Sequence, residues 1–341
     1  MGYPVSLDDK YTATAGRVFL TGTQALVRLP MTQLRRDRAA GLNTGAFISG
    51  YRGSPLGNYD QQLMQARRFL EPAGVVFQPG LNEDLAATAV WGSQQAGLSA
   101  GATKDGVLGI WYGKGPGVDR SGDVLKHANA AGTAAHGGVL AIAGDDHTCK
   151  SSSIPHQSDH AFIAALMPYL YPSTVQEFLE LGLLGIAMSR YSGCWVGYKV
   201  ISETVETTAV IDLAQEGRGF VLPEDFELPP GGLNLRWPDP PLEQDARLQE
   251  MKGYAAIAFA RANRVDQTVF DTPGARFGIV ASGKAYEDVL QAFEELGLHA
   301  AERAAIGLRL YKVRMPWPLG PERIRHFSEG LQEVLIVEER R

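Results

Sequence analysis

The sequence predicts an α/β fold: a doubly wound, mostly parallel sheet with a second, smaller α/β domain behind a linker. Three observations carry this. Short apolar runs alternate with helical patterns of about 10 to 18 residues, which argues for parallel strands covered on both faces. Gly- and Ser-rich segments near 50–58, 113–123 and 144–153 each follow an expected strand, and open α/β sheets bind ligands at the carboxyl ends of their strands. Finally, Pro223, Pro229, Pro230, Pro238, Pro240 and Pro241 crowd around Gly231-Gly232, the mark of a partly extended linker.

Taken in order, residues 22–41 have a helical pattern (Ala25, Leu26, Leu29, Leu34) interrupted by Pro30, leading into a buried strand at Thr44–Ser49. Strands are expected at Val75–Phe77, Val107–Trp111, Val139–Ala143 and Trp195–Ile201, with helices near 60–70, 83–100, 120–134 and 174–190. Thr174-Val175-Gln176-Glu177 has the spacing of a capping box at the start of the last helix. After the linker come a helix at about 243–264, strands at Phe277–Ala281, Ala305–Leu310 and Val334–Val337, and helices near 284–296 and 320–329. The expected division is therefore 1–222, a linker at 223–242, and 243–341. No covering helix follows the last strand, so the chain is expected to be a piece of a longer polypeptide or to lack a tail.

Composition narrows the function classes. The 341 residues are 45% hydrophobic and 21% charged, ordinary for packed domains, and the net charge of −6 offers no basic stripe for nucleic acid. No apolar stretch approaches the roughly 20 residues of a bilayer span and no signal-peptide pattern opens the chain, so a cytoplasmic protein without a membrane partner is expected. Cys149 and Cys194 are the only cysteines, too few for a disulfide framework or a four-thiolate iron–sulfur cluster. A redox centre would have to sit on another chain or segment.

Glu83 is the leading candidate for chemistry. Asn82 as an N-cap, with Glu83 and Asp84 merely complementing the helix dipole, is the simpler reading. However, Leu85, Ala86, Ala89 and Val90 imply a helix too apolar for the surface, which would place the carboxyl group in a dry setting where it can be kept protonated. In Gly50-Tyr51-Arg52-Gly53-Ser54-Pro55-Leu56-Gly57, glycines permit close backbone approach, Arg52 offers a bidentate grip on a carboxylate, and Ser54 adds a hydroxyl. Lys114-Gly115-Pro116-Gly117-Val118-Asp119 reads as a glycine-rich ligand loop, matching neither a Walker loop nor GxGxxG. Asp145 to Ser153 with His156, Asp159 and His160 mixes metal-ligand types without any zinc-site spacing, so no metal ligands are assigned. The same stretch could supply a serine nucleophile served by His156 and Asp159, although no G-x-S-x-G elbow surrounds it. A polar loop closing over a ligand or a neighbouring subunit is the preferred reading.

In their shared order, Phe47–Gly57, Asn82-Glu83, Gly117–Leu125 and Ala143–Asp146 with Ser151-Ser152 resemble the amino-terminal part of the 2-oxoacid:ferredoxin oxidoreductases, most closely the indolepyruvate:ferredoxin oxidoreductase family. Gly278–Tyr286 and Val334–Glu339 look like the domain that follows in that family. The resemblance implies a thiamine diphosphate enzyme that oxidatively decarboxylates an arylpyruvate to an acyl-CoA and passes electrons through iron–sulfur clusters to ferredoxin. It implies a pyrimidine-binding first domain and a second domain resembling the transketolase carboxyl-terminal domain. Glu83 would hydrogen-bond the aminopyrimidine nitrogen, with Gly53, Ser54, Gly117 and Asp119 as further cofactor-binding positions and Arg52, Ser54 and Lys114 facing substrate. Departures bear on substrate choice: Arg52 stands where many relatives have proline, Ser54 for threonine, Gly115 for histidine and Asp119 for asparagine. Neither a Gly-Asp-Gly…Asn segment for diphosphate and Mg2+ nor a cysteine cluster is present, so the chain alone should not turn over. Other domains or subunits, ferredoxin, CoA and a homo-oligomeric state are the implied partners. The rival expectation is a noncatalytic binding or assembly protein that keeps the fold.

Overall fold

The computed structural model describes residues 6–150, 152 and 154–340. Strands are numbered along the chain: β1 Arg17–Thr21, β2 Thr44–Gly50, β3 Val75–Phe77, β4 Gly106–Lys114, β5 Val139–Asp145, β6 Tyr169–Leu170, β7 Trp195–Ile201, β8 Thr208–Asp212, β9 Gln267–Phe270, β10 Phe277–Ser282, β11 Leu308–Val313 and β12 Glu333–Val337. A six-stranded sheet in the order β3-β2-β4-β5-β7-β6 is parallel throughout. A four-stranded sheet, β12-β10-β11-β9, is parallel except at β9. Strands β1 and β8 form a separate antiparallel ribbon. This is the predicted α/β class, a large parallel sheet beside a smaller mixed one.

The large sheet is buried on both faces, which explains its uninterrupted apolar strands. Leu108, Ile110, Leu140, Ile142, Val196 and Tyr198 pack on one side against the helices Gly22–Ala39 and Val175–Ser192. Alternate residues Trp111, Val139, Ala141 and Trp195 pack on the other, against the helices Glu83–Gln94 and Gly122–Ala131. The helix Gly22–Ala39 runs through Pro30 rather than breaking there, because Ala25, Leu26, Leu29 and Leu34 all lie in the core and fix it by packing. Its start is a complete capping box, with the Thr21 hydroxyl accepting from the Gln24 N–H and the Gln24 side chain accepting from the Thr21 N–H. At Thr174 only half a box forms: its hydroxyl accepts from the Glu177 N–H, while the Glu177 carboxylate is directed to Ser173, Lys312 and Arg314.

Several elements differ from expectation. The segment Gly115–Arg120 is helical, not a loop, since Pro116 sits in its first turn with a pre-set φ and no N–H to satisfy. Strand β11 begins at Leu308, after a helix Ala300–Ile306 that Gly307 ends at φ 82°. Residues 241–262 form the helices Pro241–Arg247 and Gly253–Ala262 joined by a π turn at Leu248–Lys252. The buried Lys252 there donates to the Asn129 and Ala130 carbonyls, tying this segment to the end of a large-sheet helix. At the far edge, β12 exposes Val334, Leu335 and Ile336. Among the described residues no helix is long and apolar enough to cross a membrane.

Candidate active site

The strand order creates the site. From β2 the chain moves to β3 on one side and then to β4 on the other, so the segments leaving β2 and β4 diverge and open a crevice at the carboxyl edge of the sheet. The helix after β3 starts at this crevice, and its first residue is Glu83. Asn82 caps it by accepting from the Leu85 N–H at 2.9 Å, and the Trp111 indole N–H donates to the Glu83 carbonyl at 3.0 Å. Glu83 is 6% exposed. Yet its carboxylate makes no hydrogen bond or ion pair with any described residue. A buried carboxylate is costly unless something pairs with it, so this arrangement points to a ligand as the missing partner.

Glycines set how closely the walls approach. A Cβ at Gly117 would lie 2.5 Å from Glu83 Cγ and 2.7 Å from its Oε1, so only glycine lets the helix Gly115–Arg120 seat against the carboxylate. Gly113, just before it on β4, lies on the same side chain, with a Cβ position 3.5 Å from Glu83 Cγ. Gly53 does the same for Lys114, whose Cδ would be 2.7 Å from an added Cβ. The structure thus brings Glu83 together with Gly113 and Gly117, and Gly53 together with Lys114 at the end of β4. Arg52 is exposed and Ser54 half-buried in the β2 loop, adjoining Gly53.

Asp119 is directed elsewhere. Its carboxylate meets His156 Nε2 at 2.7 Å, and His156 Nδ1 faces Asp145 Oδ1 at 3.4 Å. Asp145 is fully buried and accepts from both the N–H and the hydroxyl of Ser158, each at 2.8 Å. The Asp145 hydrogen bond raises the His156 pKa, burial opposes it, and Asp119 adds to the rise. The imidazole fills the space beside Gly115, where a Cβ would fall 2.0 Å from Nδ1. Sequence reading missed this pairing; the glycine at 115, followed by an unplaced histidine, is its only local trace.

The serine-hydrolase reading is not assembled. Asp159 pairs with Lys199 at 2.8 Å and accepts from the Tyr169 hydroxyl at 2.7 Å, not with His156. Ser151 and Ser153 lie outside the described residues. Among the described residues no group of three or more His, Cys, Asp or Glu side chains is arranged to hold a metal ion. Beside the crevice lies a cavity of about 570 Å³ whose lining includes Tyr51, Arg52, Asp60 and Phe77. Asp60 was not foreseen from the sequence.

The profile of the "Indolepyruvate ferredoxin oxidoreductase middle domain" matches residues 266–341. An indolepyruvate oxidoreductase subunit IorA of Methanothermobacter thermautotrophicus is 26% identical over 98% of this chain and 49% of its own length. The chain is related to the indolepyruvate:ferredoxin oxidoreductases. A second IorA subunit, from Pyrococcus abyssi, is 26% identical over 95% of this chain and 45% of its own length. The chain therefore spans about half the length of these relatives. Among solved structures, a 2-oxoglutarate:ferredoxin oxidoreductase from Magnetococcus marinus shares the fold, with a TM-score of 0.62 and 14% identity over 94% of this chain and 57% of that one.

Proposed function

We propose that this chain is part of a thiamine diphosphate-dependent 2-oxoacid:ferredoxin oxidoreductase that acts on an arylpyruvate such as indolepyruvate and forms an acyl-CoA. In this reading residues 1–222 are the pyrimidine-binding domain, 223–242 the linker and 243–341 a transketolase-carboxyl-terminal-like domain. The observation that carries the reading is Glu83: a buried carboxylate with no side-chain partner among the described residues, beside close-approach glycines at the sheet's switch point. The likeness to the IorA subunits supports the substrate class.

The residues fit a thiamine ring. Glu83 would hold a proton on the aminopyrimidine nitrogen, with Gly117 allowing the approach and Gly53 and Ser54 forming the opposite wall. When bound, the cofactor supplies the carbanion chemistry that a 2-oxoacid needs to lose carbon dioxide. Arg52 would hold the substrate carboxylate, and Lys114 would place a second cation nearby. Asp119, engaged with His156, would position the helix that carries Gly117 rather than touch the cofactor. The diphosphate, its Mg2+ and the iron–sulfur clusters would be held by other domains or subunits, leaving this chain inactive alone. In the complete enzyme, Glu83→Gln should nearly abolish turnover and weaken thiamine diphosphate binding while the far-ultraviolet circular dichroism and unfolding midpoint are retained. Unchanged turnover and binding would remove Glu83 from the mechanism.

A further inference from the structure

The cavity beside the crevice has apolar, amide and charged walls, the amides being Gln61 and Gln65. Tyr51, Met64, Phe77 and Pro79 are apolar, Arg52 is cationic, and Asp60 is a carboxylate held between them. At about 570 Å³ it lies within the range of small-molecule sites. Asp60 does not wander: its helix, Tyr59–Gln65, is pinned by the buried Tyr59 and Leu63, and the Tyr59 ring meets Tyr112 edge-on at 5.0 Å. Burial raises the Asp60 carboxyl above the ordinary carboxylate range, opposed by the Tyr112 hydroxyl and by the charge of Arg52. Among the described residues no cation is in ion-pair contact with it, and Arg52 likewise has no ion pair. A cation and a carboxylate lining one largely apolar space without an ion-pair contact between them suit a ligand with an anion at one end and a hydrogen-bond donor on an aromatic body.

We propose that this cavity receives the side chain of an aromatic 2-oxoacid, with Arg52 at its carboxylate and Asp60 accepting the ring N–H of an indole. The inference rests on the oxidoreductase reading and deepens it: Asp60 becomes the residue that separates an indole-bearing substrate from a phenyl one. A phenyl ring filling the same space brings no donor of its own to the carboxylate, which then keeps only the Tyr112 hydroxyl, and a half-buried acceptor left less well matched penalises the wrong ligand.

The test compares kcat/KM for indolepyruvate and phenylpyruvate in the complete enzyme. Asp60→Leu should lower the indole-to-phenyl ratio about 10- to 100-fold, the scale of a hydrogen bond to a charged group. Asp60→Asn, which keeps an acceptor oxygen, should lower it less. Equal falls for both substrates, or an unchanged ratio in both variants, overturn the proposal while leaving the oxidoreductase reading intact. A second measurement needs no turnover: the ring N–H resonance of indolepyruvate labelled with 15N at the indole, mixed with this chain, should move downfield with wild type and much less with Asp60→Leu. If that shift appears while the complete enzyme turns over no 2-oxoacid, the cavity assignment stands and the thiamine reading falls. If the shift is the same in both proteins, the assignment of Asp60 is wrong.

Discussion

Glu83 and Glu177 make an instructive pair. Both are buried glutamates in the first turn of a helix flanking the large sheet, 6% and 4% exposed. Glu177 is fully engaged: it accepts from the Ser173 N–H and hydroxyl, from Lys312 Nζ at 2.8 Å and from Arg314 Nε at 2.7 Å. Both cations come from β11 and its end, so this cluster bolts the small sheet to the large one. Glu83 has no such partners. The contrast shows that burial does not decide a carboxylate's role; what its neighbours leave unsatisfied does. One glutamate ties the two sheets together, and the other is the residue to which the proposed function gives a ligand.

The sharpest way to break this contrast is to neutralise each acid. Glu83→Gln should reduce turnover of the complete enzyme about 10²- to 10⁴-fold, the usual weight of a positioned proton donor, and shift stability by less than about 0.5 kcal/mol in urea unfolding. Glu177→Gln should do the reverse structurally, destabilising by about 3–5 kcal/mol because Lys312 and Arg314 lose their buried counter-charge. Equal stability losses in both would end the distinction.

A smaller effect comes from the glycine facing Glu83. Gly117→Ala places a methyl against the Glu83 stem and should cost about 1–3 kcal/mol, whereas Gly122→Ala, whose Cβ would meet nothing within 4 Å, should be neutral or stabilising by up to about 1 kcal/mol. Differential scanning of the two variants checks this.

Acidity gives a further handle. Burial alone would raise Glu177, but Lys312 and Arg314 outweigh it and hold its pKa below the ordinary value. A lowered folded pKa means stability that is present above the unfolded pKa and lost as pH falls through the folded one. Wild type should therefore lose stability on acidification below about pH 4.5 more steeply than Glu177→Gln, as read from unfolding midpoints. The smallest expected change is Lys284→Ala, which removes the solvent-facing pair with Asp288 and should cost less than about 0.5 kcal/mol.

The parts of the fold legible in sequence were those whose pattern is local. Strands β2, β3, β7 and β12 fall within a residue or so of expectation, because each reads as a short apolar run, whether buried on both faces like β2 and β7 or at a sheet edge like β3 and β12. Strands β4 and β5 run on through Gly113-Lys114 and Gly144-Asp145, residues that look like loop but stay in the ladder, Lys114 opposite Gly144 and Asp145 opposite Ile201. The ribbon of β1 and β8 went unseen, since Arg17 pairs with Asp212 across most of the large-sheet unit and neither segment advertises the other. The site divides the same way. Glu83 and Gly117 could be picked out from an apolar helix start and a glycine-rich segment, but their contact is tertiary. Asp60 carries no local mark, since Tyr112 lies on β4, and His156 stands out in the sequence only beside Asp159 and the serines, whereas its actual partners Asp119 and Asp145 lie on two other segments.

The bare rim of β12 has a practical corollary for anyone handling this polypeptide. Its outer row of amide and carbonyl groups pairs with no strand among the described residues and carries Val334, Leu335 and Ile336 in the open, a template onto which another extended segment can add. Produced by itself at high concentration, the protein should self-associate through that rim, and a lysine at Leu335 should keep it monodisperse.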